Sequence, residues 1–274
     1  MESLETELDR ARDLDVAALA DAIESIGFEC TRCGACCKAV DGCGDADGDD
    51  HVATVFPDEV RRLQRAGAER DDGDGDGDDT GEDNGDGASE PYDWRDVARP
   101  MPYGLTDGPD GPEGETFEWA LRTDDCGDCR FYAEDEGRTD EAGEAQGRCT
   151  VHADRPLVCR TYPFSVALGG TSQPMGEAVD SAGPAVPRAD GTAAGGSIDS
   201  EGVVRAHECE GLGRDISRAE AEELATTLKE RAVRELEEAI AVRNGYEPVA
   251  TGPSGVVVHD SEGAKRPDGS PVER

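Results

Sequence analysis

Four cysteines fall within a single short segment, FECTRCGACCK at residues 28–38, as Cys30, Cys33, Cys36 and Cys37. The two-residue spacing of the first three lets backbone turns aim successive sulfurs at one centre, as in zinc knuckles and ferredoxin-type iron-sulfur runs. Side chains of adjacent residues diverge, so we expect one of Cys36 and Cys37 to face a second centre or a second iron. A fourth ligand must come from far along the chain, and the candidates are Cys129, Cys149, Cys159 and Cys209.

A second group of cysteines lies in residues 129–164, where prolines punctuate the backbone. Pro156 can begin a helical turn that carries Cys159, and Pro163 prevents that turn from continuing. Basic residues stand directly beside most of the thiols: Arg32, Lys38, Arg130, Arg148 and Arg160. Cationic neighbours are expected to lower thiol pKa values and to offset the negative charge that four thiolates keep after binding zinc or an iron-sulfur cluster.

Three further residues could join a metal site. Cys126 lies two residues before Cys129 and could ligate, whereas Cys43, in a loop of glycine and aspartate, is interpreted as a thiol outside the site. His152 follows Cys149 at the same spacing, and we interpret it as a turn histidine that packs near the site rather than as a ligand.

The composition is strongly acidic. The chain has 274 residues, 64 Asp and Glu against 27 Lys and Arg, and a formal charge of −37. Large apolar residues are sparse enough to suggest disorder, yet an acidic surface that prefers arginine to lysine resembles proteins of salt-accumulating halophiles. In molar salt the Debye length falls to about 3 Å, so repulsion between exposed carboxylates is largely screened. We therefore expect a folded, halophilic protein that binds neither nucleic acid nor an anionic membrane, because no basic stripe is present.

The N-terminal residues are acidic and follow a helical period, without the basic and apolar regions of a signal peptide. No segment predicts a transmembrane helix. We expect a cytoplasmic protein, in which thiols stay reduced and clustered cysteines usually indicate metal or redox chemistry.

Hydrophobic periodicity and turn residues predict the elements that must position the thiols. The expected organisation is an N-terminal helical segment (1–27), a cysteine-cluster metal-binding domain (28–214), a C-terminal helix packed on it (215–245) and a mostly disordered tail (246–274) with one strand at 256–258. Two flexible loops interrupt the domain, an acidic one at 69–90 and a Gly, Ala and Pro-rich one at 169–200. Further predictions are a strand at 51–56, a helix at 57–67 and a strand at 116–123. Ser217 with Glu220 forms a capping box for the C-terminal helix.

Four segments, taken in order, resemble the YkgJ-type cysteine-cluster family, a family of zinc- or iron-chelating domains of the CxxCxxCC type. They are CTRCGACC (30–37), CRFY (129–132), CTVHADRPLVCRTYPF (149–164) and CEGLG (209–213). The resemblance spans about residues 28–213 and implies metal binding by eight cysteines: Cys30, Cys33, Cys36, Cys37, Cys129, Cys149, Cys159 and Cys209. His152 stands where tyrosine is common in the family, and Cys43 and Cys126 are additional.

The sequence therefore predicts a small, irregular α+β domain stapled by metal, with short strands, a flanking N-terminal helix and a long C-terminal helix. The predicted function is non-catalytic binding of zinc or iron, the metal ion being the only partner indicated. No catalytic residue is assigned. The alternative is an iron-sulfur redox protein or oxidoreductase component, in which a 4Fe-4S cluster on Cys30, Cys33, Cys36 and a distant fourth cysteine carries electrons.

Overall fold

The computed structural model describes residues 3–39, 52–68, 92–109, 111–139, 145–168, 178–183, 202–249 and 255–272. These residues form a mixture of helices and short strands, which confirms the predicted α+β class. The chain divides into two compact units. The first unit comprises Met1–Cys36, Glu134–Gly147 and Leu157–Gly245, and the second comprises Cys37–Ala133, Arg148–Pro156 and Tyr246–Arg274. In the described part of the chain, no helix is both long enough and apolar enough to cross a membrane.

The helices in chain order are α1 (Leu4–Asp13), α2 (Val16–Ile26), α3 (Pro57–Ala68), α4 (Trp94–Val97), α5 (Leu157–Thr161) and α6 (Arg218–Gly245). The strands are β1 (Thr54–Val55), β2 (Ala98–Pro100), β3 (Leu105–Gly108), β4 (Gly111–Thr116), β5 (Trp119–Leu121), β6 (Tyr132–Thr139), β7 (Ala145–Cys149), β8 (Phe164–Val166), β9 (Ala178–Ala182), β10 (Val204–His207), β11 (Val256–Asp260) and β12 (Gly263–Lys265). A 3-10 turn spans His152–Asp154.

The first unit is built on α6, against which α1, α2 and α5 pack. An antiparallel sheet of order β8-β10-β9 completes its apolar core, where Leu19, Ile23, Phe164, Val204 and Leu228 are all buried. The N-terminal helical segment is two helices, because the Asp15 carboxylate accepts the backbone N–H groups of Ala17 and Ala18 and so begins a new helix.

The long C-terminal helix is confirmed as α6. Its capping box is present: the Ser217 N–H donates to Glu220 Oε2 (3.1 Å) and the Glu220 N–H donates to Ser217 Oγ (3.3 Å). Reciprocal side-chain acceptors satisfy N–H groups that have no partner within the helix.

The prediction of a flexible, Gly, Ala and Pro-rich loop at residues 169–200 is wrong for one segment. Residues Ala178–Ala182 form β9, an edge strand that pairs antiparallel with β10. Val179 suits a strand, although the composition of the surrounding residues predicted a flexible loop. Residues 169–177 and 184–201, the acidic loop 69–90 and Cys43 lie outside the described residues.

The second unit contains an antiparallel sheet of order β1-β5-β2 and a mixed sheet of order β12-β11-β4-β3, in which β11 runs parallel to β4. Trp94 and Trp119 pack edge to face in its core, with ring centroids 5.1 Å apart. The predicted helix at 57–67 is confirmed as α3, with Pro57 at its first position.

The C-terminal residues differ from the predicted loose tail, because β11 and β12 form a hairpin. Asp260 and Lys265 are both buried, and Lys265 Nζ lies 2.7 Å from Asp260 Oδ2. The Trp119 indole N–H donates to the same carboxylate oxygen (2.9 Å). Paired charges let this polar segment be buried, which a prediction based on its hydrophobicity misses.

Candidate metal centre

A short backbone ladder brings the segment that precedes Cys30 next to the segment that follows Cys209. The Glu29 N–H donates to the Gly211 carbonyl and the Gly213 N–H donates to the Gly27 carbonyl, each at 3.0 Å. Phe28 and Leu212 form an antiparallel bridge between these two bonds. The ladder lies wholly within the first unit and fixes Cys209 beside the start of the N-terminal cysteine loop.

Glycine is required at this ladder for steric reasons. A Cβ atom on Gly211 would lie 2.2 Å from the Glu29 carbonyl oxygen, and one on Gly27 would lie 2.5 Å from the Arg214 carbonyl oxygen. Only glycine lets two backbones approach so closely. The glycines of CEGLG therefore have a physical role, which their proximity to a cysteine in the sequence does not reveal by itself.

The loop from Cys30 to Cys36 is turned by residues with left-handed backbone conformations, Arg32 (φ 61°) and Gly34 (φ 81°). Cys30 and Cys36 are exposed, and Cys33 is half-buried. Gly34 permits the turn that the sequence predicts. The loop is thus open on one side, so its sulfurs are accessible to a ligand from solvent.

The electrostatics of Cys209 show which sulfurs surround it. Burial raises the pKa of the Cys209 thiol, and the negative charges of Cys36, Cys33 and Cys30 raise it further. A hydrogen bond from the Gly211 N–H to Cys209 Sγ (3.4 Å) acts in the opposite direction. The three cysteines of the x2-spaced run and one remote cysteine therefore lie within electrostatic range of one another.

Tyr162 belongs to the same surroundings. Its hydroxyl donates to the Glu208 carbonyl oxygen, next to Cys209. Burial raises the pKa of Tyr162 to about 12, and the charges of Cys209, Cys36, Glu208 and Cys33 contribute. Tyr162 thus lies within electrostatic range of three of the four sulfurs, and its hydroxyl connects the segment after Cys159 to the Cys209 turn.

Among the described residues, no group of three or more His, Cys, Asp and Glu side chains is already arranged as a metal site. The eight cysteines predicted as ligands are not disulfide-bonded. Four thiolates are the donor set that zinc and iron-sulfur centres use, and exposed thiols on a turn can change rotamer to meet an ion. The residues present therefore fit a metal whose binding draws the sulfurs together.

The remaining predicted ligands divide between the two units. Cys159 lies on α5 in the first unit, where Arg231 of α6 donates to the Thr161 hydroxyl (3.0 Å) and so holds the end of that helix. Cys37, Cys129 and Cys149 lie in the second unit. Cys129 is buried, and the other two are half-buried.

The additional candidates are not placed in the thiol group. Cys126 is disulfide-bonded, so its thiol does not serve as a ligand in this structure. His152 is exposed in the 3-10 turn after Cys149.

Three of the basic residues beside the cysteines also interact with groups other than the thiols. Arg130 lies 3.6 Å from Asp96 and over the Tyr92 ring, Lys38 lies over the Tyr132 ring, and the Arg160 guanidinium donates to Thr227. Cys209 has no basic neighbour in the sequence, so its raised pKa does not bear on the expectation that cationic neighbours lower the pKa values of the other thiols, which stays a prediction. Adjacency in sequence does not by itself place two side chains on the same side of the backbone.

Comparison with known proteins gives a family. No curated protein and no solved structure matches the chain. A family model covers residues 29–181, more than half of the chain, and its description is "CxxCxxCC: Putative zinc- or iron-chelating domain". The match includes the N-terminal loop and the second cysteine group, whereas Cys209 lies beyond it. The chain therefore belongs to the CxxCxxCC family of zinc- or iron-chelating domains.

Proposed function

We propose that this protein binds one zinc or iron ion through Cys30, Cys33, Cys36 and Cys209, and that the metal is structural or is held for delivery. The observation that carries this proposal is the ladder between residues 27–29 and 211–213, which brings a remote cysteine to the x2-spaced run. The wider ligand set is all eight cysteines of the family pattern, with Cys37, Cys129, Cys149 and Cys159 as the other members.

The electrostatics of the first unit support a cation at this position. Burial and like charges disfavour the ionised form of Cys209, and a divalent or trivalent cation would reverse both effects. The Gly211 N–H on Cys209 Sγ is a hydrogen bond of the kind that stabilises metal-bound thiolates. A four-thiolate structural site contributes about 10–16 kcal/mol of apparent binding free energy, which is large beside the stability of a typical domain.

The alternative is a 4Fe-4S cluster on the same four cysteines, with an electron-transfer role. The feature that favours it is the arrangement of three x2-spaced cysteines on one loop and a fourth from a distant segment, which ferredoxin-type sites share. Thiolate ligands suit zinc and iron alike, so the donor set alone does not choose between them.

Metal analysis of protein purified without oxygen tests both forms of the proposal. A colourless protein with one or more equivalents of zinc supports the zinc form. A brown protein with iron and acid-labile sulfide supports the cluster. Cys209→Ser should lose metal, whereas His152→Ala, which changes a residue interpreted as packing near the site rather than as a ligand, should retain it. Wild-type protein that takes up neither zinc nor iron would overturn the proposal.

We further propose that the protein acts in the cytoplasm of a halophile. The support is the charge of −37 with arginine in excess of lysine, together with eight cysteines that stay free although Cys126 is disulfide-bonded. The dependence of stability on salt concentration tests the proposal that the protein is halophilic. Fractionation of the source cells tests the location, and recovery outside the cytoplasm would contradict it.

A further inference from the structure

We propose that Phe117, Tyr246 and Glu115 form a surface site in the second unit that binds an arginine side chain of a partner protein. The two rings supply faces on which a guanidinium group stacks, and the carboxylate supplies the opposite charge. The site contains no cysteine, and the inference does not depend on the proposed metal binding.

The mixed sheet of the second unit brings the three residues together. Glu115 lies on β4 opposite Val257 of the parallel strand β11. Residues two apart on a strand face the same side of a sheet, so His259 follows Val257 on the side of Glu115. The His259 ring stacks on Phe117, with centroids 5.5 Å apart and planes 25° apart. Tyr246, the first residue after α6, lies 4.8 Å from the His259 ring and 5.5 Å from the Phe117 ring.

Two rings of this cluster are open to solvent. Phe117 is 45% exposed and Tyr246 is 38% exposed, whereas His259 is 2% exposed. Single exposed apolar residues are ordinary on a protein surface, but adjacent exposed rings are characteristic of interaction sites. The centroids are too close for another group to enter between the rings, so a ligand must stack on their outer faces.

The Glu115 carboxylate gives the cluster its negative charge. Its Oε1 accepts the Val249 N–H and the His259 Nε2–H, and its Oε2 accepts the Tyr246 hydroxyl, each at 3.0 Å. The Val249 hydrogen bond and the two from side chains lower the pKa of Glu115, so the carboxylate is ionised at neutral pH. Each carboxylate oxygen has two lone pairs, so Oε2 can accept one more donor. The side chain is 24% exposed, so a donor from solvent can approach it.

Other aromatic rings of the second unit have a cation that the chain itself supplies. The pairs are Lys38 over Tyr132 (5.0 Å), Arg130 over Tyr92 (5.7 Å) and Lys265 over Trp94 (5.2 Å). In the part of the chain that the structure describes, no lysine or arginine lies over Phe117 or Tyr246 in this way. The cluster beside Glu115 thus presents ring faces and a negative charge to a cation from another molecule.

The shape of the cluster favours a guanidinium group over an ammonium group. A guanidinium is planar and weakly hydrated, so it can stack on an exposed ring and donate an N–H to a carboxylate at its edge. An ammonium is a compact and strongly hydrated charge. Rings that pack directly against one another do not form the enclosing cage that recognises quaternary ammonium groups.

The charge of the chain favours a different protein over a second copy as the source of the arginine. Two copies that each carry a charge of −37 repel each other, whereas a segment with exposed arginine is attracted. Stacking on the rings also persists in molar salt, in which an exposed ion pair alone is screened.

NMR spectra of the full-length protein with labelled Phe and Tyr rings test the site. The probe is N-acetyl-arginine amide, which reproduces an arginine within a polypeptide. The corresponding citrulline compound has nearly the same shape without the charge, and the lysine compound has the charge without the plane. We expect the arginine probe to shift the Phe117 and Tyr246 signals in a saturable way, with an affinity about 2- to 5-fold higher than that of either control.

Variants assign the binding to the cluster. Phe117→Leu and Glu115→Gln should each weaken binding of the arginine probe by about 2- to 5-fold, as read from the Tyr246 signal. Tyr103→Ala is the matched control, because Tyr103 is an exposed tyrosine of the same unit with no ring contact to the cluster, and it should leave the affinity unchanged. Tryptophan emission, which arises within this unit, checks that each variant is folded. Phe117→Leu removes a half-exposed ring and keeps the test decisive should Glu115→Gln unfold.

Four outcomes would overturn the proposal. Equal affinities for the arginine and citrulline probes would remove the role of charge, and equal affinities for arginine and lysine would remove the role of the guanidinium plane. Tighter binding of free arginine than of the blocked probe would assign the site to a small molecule. Ring signals that shift with protein concentration in the absence of a probe would show that a second copy covers the cluster.

Discussion

The cysteine loop of the first unit and the C-terminal hairpin of the second unit differ in the charges that surround their acidic groups. Both are polar segments held against an apolar framework. In the hairpin each charge faces an opposite charge: Lys265 Nζ lies 2.7 Å from both Asp260 Oδ2 and Glu262 Oε2, and Arg61 pairs with Glu262. Arg61 and Lys265 lower the pKa of Glu262 to about 2, so its ionised form is favoured.

The cysteine loop instead gathers groups of the same sign. Burial and the charges of Cys36, Cys33 and Cys30 raise the pKa of Cys209, so its ionised form is disfavoured. The charges of the hairpin are therefore paired within the chain, whereas the Cys209 thiol stays neutral unless a cation, such as the metal ion proposed above, favours its ionised form. The opposite pKa shifts thus distinguish a carboxylate with cationic partners, Glu262, from a thiol beside groups of its own sign, Cys209.

The largest expected effect comes from breaking the hairpin's buried pair. Lys265→Ala leaves Asp260 buried without its cation, which we expect to cost about 3–5 kcal/mol. The free energy of unfolding is measured by urea denaturation and tryptophan emission, since the Trp119 indole contacts Asp260. Arg61→Ala, which removes a half-exposed partner from the same network, is the control and should cost about 0–1 kcal/mol. Equal costs for the two variants would contradict the view that burial of the pair is decisive.

Gly211→Ala tests the ladder at the cysteine loop. The new Cβ would meet the Glu29 carbonyl, so the two segments must separate and Cys209 must move from Cys30. We expect metal affinity to fall by about 10- to 100-fold, the range for loss of outer-shell support at metal sites. Affinity is measured by competition with a chromophoric chelator.

Gly213→Ala is the matched control. Its backbone is left-handed (φ 75°), but a Cβ there meets nothing within 4 Å. The variant should lose stability by about 1–2 kcal/mol and keep most of its metal affinity. Equal losses of affinity in both variants would show that backbone strain, rather than the separation of Cys209 from the loop, weakens binding.

Acid should weaken the hairpin through Glu262. Its pKa is lowered from 4.5 to about 2 by folding, so its contribution to stability is fully present above pH 4.5 and is lost as pH falls towards 2. The urea midpoint of the wild type should fall across this range. Glu262→Gln should show a smaller fall, because it has no carboxylate to protonate. An identical pH dependence of the two proteins would assign the acid sensitivity to other carboxylates.

Local patterns in the sequence were sufficient for some features of the fold. The apolar stripe and the Ser217–Glu220 box predicted α6, and Pro57 predicted the start of α3, because helix signals lie within a few residues of each other. The spacing of the cysteines predicted the family in the same way, because the residues of each motif lie close together in the sequence.

Features that depend on contacts between distant segments were not predicted. The ladder of Gly27 with Gly213 and the burial of Lys265 against Asp260 each require a partner that sequence spacing does not reveal. Similarly, adjacency in sequence did not reveal that Arg130 and Lys38 lie over aromatic rings. The ligand set stays a prediction, since its sulfurs must still move to reach a common ion.

The smallest loss of stability is expected on removal of exposed ion pairs, whose contribution depends on the salt concentration. Arg218 of α6 lies 2.5–2.7 Å from Asp21, Glu24 and Glu222, and all four side chains are at least one-third exposed. Arg218→Ala should lower the urea midpoint slightly at low ionic strength, and the difference should vanish in molar salt because exposed charges are screened. Over the same range the wild-type midpoint should rise, as screening relieves repulsion within a chain of charge −37. The loss of stability in Lys265→Ala should persist in molar salt, because its partner Asp260 is buried. If that loss vanished as well, the hairpin pair and the surface pairs would be screened alike. The difference between paired and unpaired regions would then depend on the thiols alone.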